Sequence, residues 1–145
     1  MGDIVGNIVV LMKIGEIGKH KNKKLISNGW VYSQKYTQIV NELIQKYNVK
    51  PRGDFLGVFI SSRYTRTLGI CTTLKSGSEV VEQAICLSKK MLEEATEEVI
   101  EDVLKHETAH LQCGGHTKRF RSLAISMETD NIYGTFKQYH NRCKE

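Results

Sequence analysis

Between residues 33 and 51 the apolar side chains fall at Tyr36, Ile39, Val40, Leu43, Ile44 and Tyr47. Spacings of three and four put them on one helical face, so the pattern predicts a helix over 34–47, with Ser33 as its cap. Asn48 and Pro51 stop it, because proline disfavours helix at the residue before it, Lys50. The pattern then changes. Residues 55–61, Phe-Leu-Gly-Val-Phe-Ile-Ser, read as a strand. Residues 63–74 read as a second strand kinked at Gly69, and 75–78 carry turn chemistry. Residues 80–87 read as a third strand, with Val81, Ile85 and Leu87 on one side. Three strands so spaced predict a small antiparallel meander.

Helical spacing returns downstream. Met91 and Leu92 in a polar setting predict a short helical turn within 88–95. Thr96 can cap a longer helix whose buried side is Ile100, Val103, Leu104 and Leu111. Glu97, Glu98, Glu101 and Asp102 fill its first turns, where negative charge complements the helix dipole. Thr117 can cap a further helix with Phe120, Leu123, Ala124 and Met127 as its stripe. Ile132, Tyr133, Phe136 and Tyr139 predict a last short helix within 129–145. Near the start, 7–14 is an apolar, β-branched run followed by a Gly- and Lys-rich turn over 15–24. It predicts a hairpin in which 25–33 pairs back, with a mobile N-terminal arm as the alternative. The expected organisation is an extension over 1–29 and one domain over 30–145.

Composition narrows this picture modestly. A chain of 145 residues, 40% hydrophobic and 26% charged, suffices for one domain with its own core. It has no apolar run of 18 residues, so no membrane-spanning helix is expected. Asp3 ahead of the apolar start argues against a signal peptide, and Gly6 against myristoylation. Cys71, Cys86, Cys113 and Cys143 show no C-x-x-C spacing; reduced thiols in the cytoplasm are the expectation. The net charge of +5 permits an anionic partner. Basic residues cluster at His20-Lys21-Asn22-Lys23-Lys24, at Lys118-Arg119-Phe120-Arg121, and at Lys137, Arg142 and Lys144.

The candidate chemistry is concentrated in one stretch. His106-Glu107-Thr108-Ala109-His110 reads H-E-x-x-H on the predicted acidic-capped helix, and His116 follows six residues after the second His. Two His four apart rise from one helical face, close enough to share a zinc ion. Glu107 beside the first ligand is placed to act as general base. Gly114-Gly115 would end the helix and turn the chain back, bringing His116 in as a third ligand. The expected cofactor is one Zn²⁺. Cys113 lies inside the motif and reads as a small buried residue or as a further ligand. His20 and His140 stand outside any ligand spacing.

These residues resemble the SprT-like family of zinc metalloproteases, which includes the Spartan proteases. Arg66-Thr67-Leu68-Gly69-Ile70-Cys71 and Ala84-Ile85-Cys86-Leu87-Ser88 resemble two of its strands. The stretch from Glu97 to His110 resembles its metal-motif helix, and Gly115-His116-Thr117-Lys118-Arg119-Phe120 the segment bearing its third ligand. The resemblance runs from about Tyr36 to Met127. It implies an α+β, zincin-like minimal core, its small antiparallel sheet packed on an N-terminal helix and the H-E-x-x-H helix. It further implies ligands His106, His110 and His116, with Glu107 as catalyst. Two departures stand out: the Cys spacing excludes the C-terminal zinc ribbon of bacterial relatives, and the partner-binding segments of longer Spartan proteins are not expected within these 145 residues. A metzincin would place Gly where Cys113 stands.

The expected function is hydrolysis of peptide bonds in proteins, DNA-associated proteins among them, by a zinc-activated water that Glu107 deprotonates. An oxyanion donor would come from Tyr133, Tyr139, His140, Arg63 or Arg66. The alternative is a non-catalytic, zinc-stabilised binding module for nucleic acid or an acidic protein, its metal site closed by Cys113. A protein substrate is the expected partner, with DNA reached through the basic clusters and no membrane partner. The oligomeric state is not encoded in these patterns.

Overall fold

The computed structural model describes residues 25–128. The elements run β1 (Val31–Ser33), α1 (Gln34–Lys46), β2 (Asp54–Ser61), β3 (Gly69–Ser76), β4 (Glu79–Ser88), α2 (Lys89–Glu94), α3 (Glu97–Gln112) and α4 (Lys118–Ser126). The class is α+β, as expected. The expected hairpin partner at 7–14 and the expected helix within 129–145 lie outside the described residues.

The sheet is not an antiparallel meander. Its order is β1-β2-β4-β3. β4 lies between β2, to which it is parallel, and β3, to which it is antiparallel. The reason lies in burial. From Glu82 to Ser88 every residue of β4 is buried, and a strand buried on both faces belongs in a sheet's interior. Ile85 and Leu87 face the helices, while Ala84 and Cys86 face the opposite layer. Gly69 does not kink a strand; it begins β3, where a Cβ would come within 3.2 Å of Val103 on α3. The expected strand over 25–33 shrinks to Val31–Ser33, which pairs antiparallel with β2.

A bulge ties the sheet to α1. Register slips between Phe55 and Val58, and Gly57 adopts a φ of 124°, a conformation open to glycine alone at low cost. Leu56 and Phe59 thereby share one face, and Val58 turns toward the helices. The Val58 amide donates to Thr37 Oγ1 at 2.8 Å, and that hydroxyl donates to the Ser33 carbonyl at 2.6 Å. Ser33 caps α1 through Oγ, as its position predicts.

α1 and α3 cover one face of the sheet. Val40 and Leu43 of α1 meet Val103, Leu104 and Leu111 of α3 over Val58, Ile85 and Leu87. A second cluster on the other face holds Leu25, Leu56, Phe59, Leu74, Ala84 and Cys86, with Trp30 packed against it. A third, of Val49, Ala109, Cys113, Phe120, Ala124 and Met127, joins α4 to the end of α3. This last cluster positions the candidate chemistry. No helix of the described residues is long and apolar enough to cross a membrane.

Candidate metal centre

α3 begins at Thr96, whose Oγ1 accepts from the Val99 amide at 3.3 Å, with Glu97 and Glu98 in the first turn. Its second half is almost wholly buried from Val103 to Ala109. His106 and Glu107 are therefore carried on a helix that packing holds on both sides. His110 lies one turn beyond His106, near the rim. The helix ends at Cys113; bends at Gly114 and Gly115 bring His116 back over the same face. Thr117 then caps α4, accepting from the Phe120 amide at 3.3 Å.

The three imidazoles converge. His110 Nε2 stands 3.2 Å from His106 Nε2 and 3.2 Å from His116 Nε2, and the remaining pair is 3.4 Å apart. Two ligands about 2.05 Å from a zinc ion, about 109° apart, are separated by about 3.3 Å, so the triangle fits three corners of a tetrahedral site. His110 Nδ1 lies 3.0 Å from the Cys113 carbonyl oxygen, which can only accept. Nδ1 must carry the proton, and Nε2 presents its lone pair. Burial lowers the His110 pKa, chiefly against the pull of that carbonyl, with His116 and Arg52 adding to the lowering. A neutral imidazole follows. One shared proton could bridge one pair of these nitrogens, whereas one cation satisfies all three. Among the described residues His106, His110 and His116 form the group able to hold a metal ion.

Phe120 braces the cluster. Its ring stacks on His110 with centroids 4.3 Å apart, and meets His106 and His116 edge-on at 5.1 and 5.0 Å. The stripe pattern marked Phe120 as core; its contact with all three imidazoles is visible only once α4 folds back.

Glu107 is buried, and its residue lines the same cleft as the three His, with Gly69, Ile70, Cys71, Thr73 and Lys75 of β3 opposite. Desolvation pushes its carboxyl up to about 8. The cleft has a volume of about 430 Å³. Burial pushes the neighbouring Cys71 thiol up to about 12, the Glu107 charge adding to the rise and Arg52 opposing it.

Cys113 does not join the imidazoles. It is buried in the third core cluster beside Val49, Ala109 and Phe120, and its contribution is the main-chain carbonyl that orients His110. Arg63 and Arg66 are exposed and outside the cleft lining. Tyr133, Tyr139, His140 and His20 lie outside the described residues.

The pattern gave no sign of Arg52 or Gln83. The Arg52 amide donates to the Leu111 carbonyl at 3.0 Å, and its guanidinium reaches the Leu111 and His110 carbonyls through Nε at 3.3 Å and Nη2 at 3.0 Å. Gln83 Nε2 donates to Leu111 O at 3.0 Å while its Oε1 accepts from the Gly53 amide at 3.0 Å. Both residues satisfy carbonyls that the end of α3 leaves open. They come from a loop and a strand remote in sequence, so no local spacing could reveal them.

No curated protein and no solved structure matches the chain. The profile of the SprT-like family matches residues 36–141, a span that takes in all of α1 but its first two residues, the whole β2–β4 sheet core and all three converging imidazoles, and on that match the chain belongs to the SprT-like family.

Proposed function

We propose that this chain is a zinc-dependent endopeptidase whose ligands are His106, His110 and His116 and whose general base is Glu107. The observation that carries the reading is the triangle of Nε2 atoms with a buried carboxylate in the same cleft. Zinc held there would supply Lewis acidity, which lowers the pKa of a water from about 15.7 to about 7. Burial by itself holds the Glu107 carboxyl at about 8; a cation held by the three imidazoles would draw it back down, and the carboxylate so formed would take the proton of the attacking water and return it to the leaving amine. A site serving only structure has no use for a carboxylate there, and the thiol of Cys113, which could have closed such a site, faces the core instead.

A peptide is the fitting substrate because the cleft's far wall is a strand. β3 is one of the two edge strands among the described residues, and its Ile70, Cys71 and Thr73 line the cleft. An extended chain laid there meets free main-chain donors and acceptors. Lys118, Arg119 and Arg121 are exposed at the start of α4, directly after His116. They are the described part of the basic surface through which DNA would deliver a DNA-associated protein to the site. The other two basic clusters lie outside the described residues.

The test is proteolysis of a DNA-binding protein by the zinc-loaded chain, with and without single-stranded DNA, beside Glu107→Gln. Cleavage by the parent and none by the variant is expected. A variant that retains zinc and cleaves as fast as the parent removes Glu107 from the mechanism. Cleavage indifferent to DNA removes the nucleic-acid part alone.

A further inference from the structure

Resting on the peptidase reading, we propose that Arg52 is a specificity-determining residue that selects a substrate carboxylate next to the bond to be cut. The guanidinium is held in place. Nε and Nη2 are fixed on the Leu111 and His110 carbonyls at 3.3 and 3.0 Å, so the group cannot swing away as an ordinary surface arginine does. Nη1 is turned elsewhere. It lies over Gly114, where an added Cβ would stand 3.0 Å from it, on the turn that joins His110 to His116. Among the described residues Nη1 makes no hydrogen bond and Arg52 has no carboxylate partner. Its two fixed acceptors are neutral carbonyls, and the negative end of α3 offsets only about half a unit charge.

The guanidinium therefore brings a largely uncompensated charge, with unused N–H donors, to the cleft that holds the three His. Glu107 is the one acidic residue in that lining. Guanidinium geometry matches a carboxylate better than any neutral acceptor. The carboxylate could belong to an Asp or Glu side chain or to a free chain terminus. Capping α3 needs only two of Arg52's five donors, so capping does not account for Nη1.

Binding to the full-length, zinc-loaded Glu107→Gln chain tests this without turnover. The probes are fluorescein-labelled decapeptides of Ala and Ser with a central Glu or Gln, each made as the C-terminal acid and as the amide. Fluorescence anisotropy should show carboxylate-bearing peptides binding about tenfold more tightly than their neutral twins, in line with a charge-assisted hydrogen bond. Adding Arg52→Gln should abolish that ratio, and adding Arg52→Lys, which keeps the charge, should retain part of it. A ratio that follows the central Glu assigns a side-chain carboxylate; one that follows the C-terminal acid assigns a chain end. Equal binding of all four peptides, no binding of any, or a ratio unchanged by Arg52→Gln in a chain that still melts cooperatively overturns the inference. Cleavage assays with the parent chain separate the two readings. Equal cleavage of Glu and Gln peptides, abolished by Glu107→Gln, leaves the peptidase standing without this selectivity. If neither peptides nor proteins are cut, the peptidase reading itself fails.

Discussion

His110 points Nδ1 at the Cys113 carbonyl oxygen, 3.0 Å away, so the residue that ends α3 also decides which nitrogen of His110 faces His106 and His116. The consequence can be read directly in the metal-free protein. Long-range ¹H–¹⁵N correlation spectra should show His110 as the Nδ1–H tautomer. An Nε2–H tautomer would contradict the arrangement.

Three preoriented imidazoles should make folding stability depend on metal. At a free zinc concentration about a hundred times the dissociation constant, the native state gains about 2.7 kcal/mol. Thermal melts should rise on adding zinc and fall back with a chelator. His106→Ala and His110→Ala should each weaken zinc binding by more than about a hundredfold, since even outer partners of a ligand are worth about ten- to a hundredfold. A melting temperature indifferent to zinc speaks against the site.

Phe120 touches every imidazole and is fully buried. Phe120→Ala should cost about 3–5 kcal/mol by opening a cavity. It should also loosen zinc binding, because the rings lose the surface they rest on. Phe120→Leu should cost less in stability yet still lose the stacking on His110. Denaturant melts and zinc titration of both variants check this; unchanged zinc affinity in Phe120→Leu would confine Phe120 to packing.

Gln83 bridges the Gly53 amide and the Leu111 carbonyl inside the protein. Gln83→Leu keeps the bulk and strands the Gly53 donor. The expected loss is about 1–3 kcal/mol, measured as a lower denaturant midpoint with an unchanged slope. A neutral substitution would show that the bridge contributes little.

The thiols of Cys71 and Cys86 are pushed up to about 12, mainly by burial. A raised pKa leaves almost no thiolate at pH 8, so both should resist a disulfide reagent in the native protein and react on unfolding. Fast labelling of Cys86 in the native state would show the sheet to be looser than its burial implies.

Local order was largely legible along the chain. Ser33, Thr96 and Thr117 cap the helices that follow them, as their positions predict. The apolar spacing from Tyr36 to Tyr47 marks the buried face of α1. Period and capping chemistry act within a turn or two, so the sequence alone carries them. Likewise, the fourfold spacing of His106 and His110 requires only a helix. Sheet order was not legible. The spacing of β2, β3 and β4 suits a meander equally well, and β4 takes the centre because burying both its faces outweighs pairing β2 with its sequence neighbour. Nor did spacing disclose Arg52, Gln83 or the bracing role of Phe120, each of which reaches the site across the tertiary fold. The sequence determined which side chains can bind a metal and where the helices begin. The tertiary structure decided how three imidazoles come within 3.4 Å of one another and what holds them there, because those contacts join segments that only packing brings together.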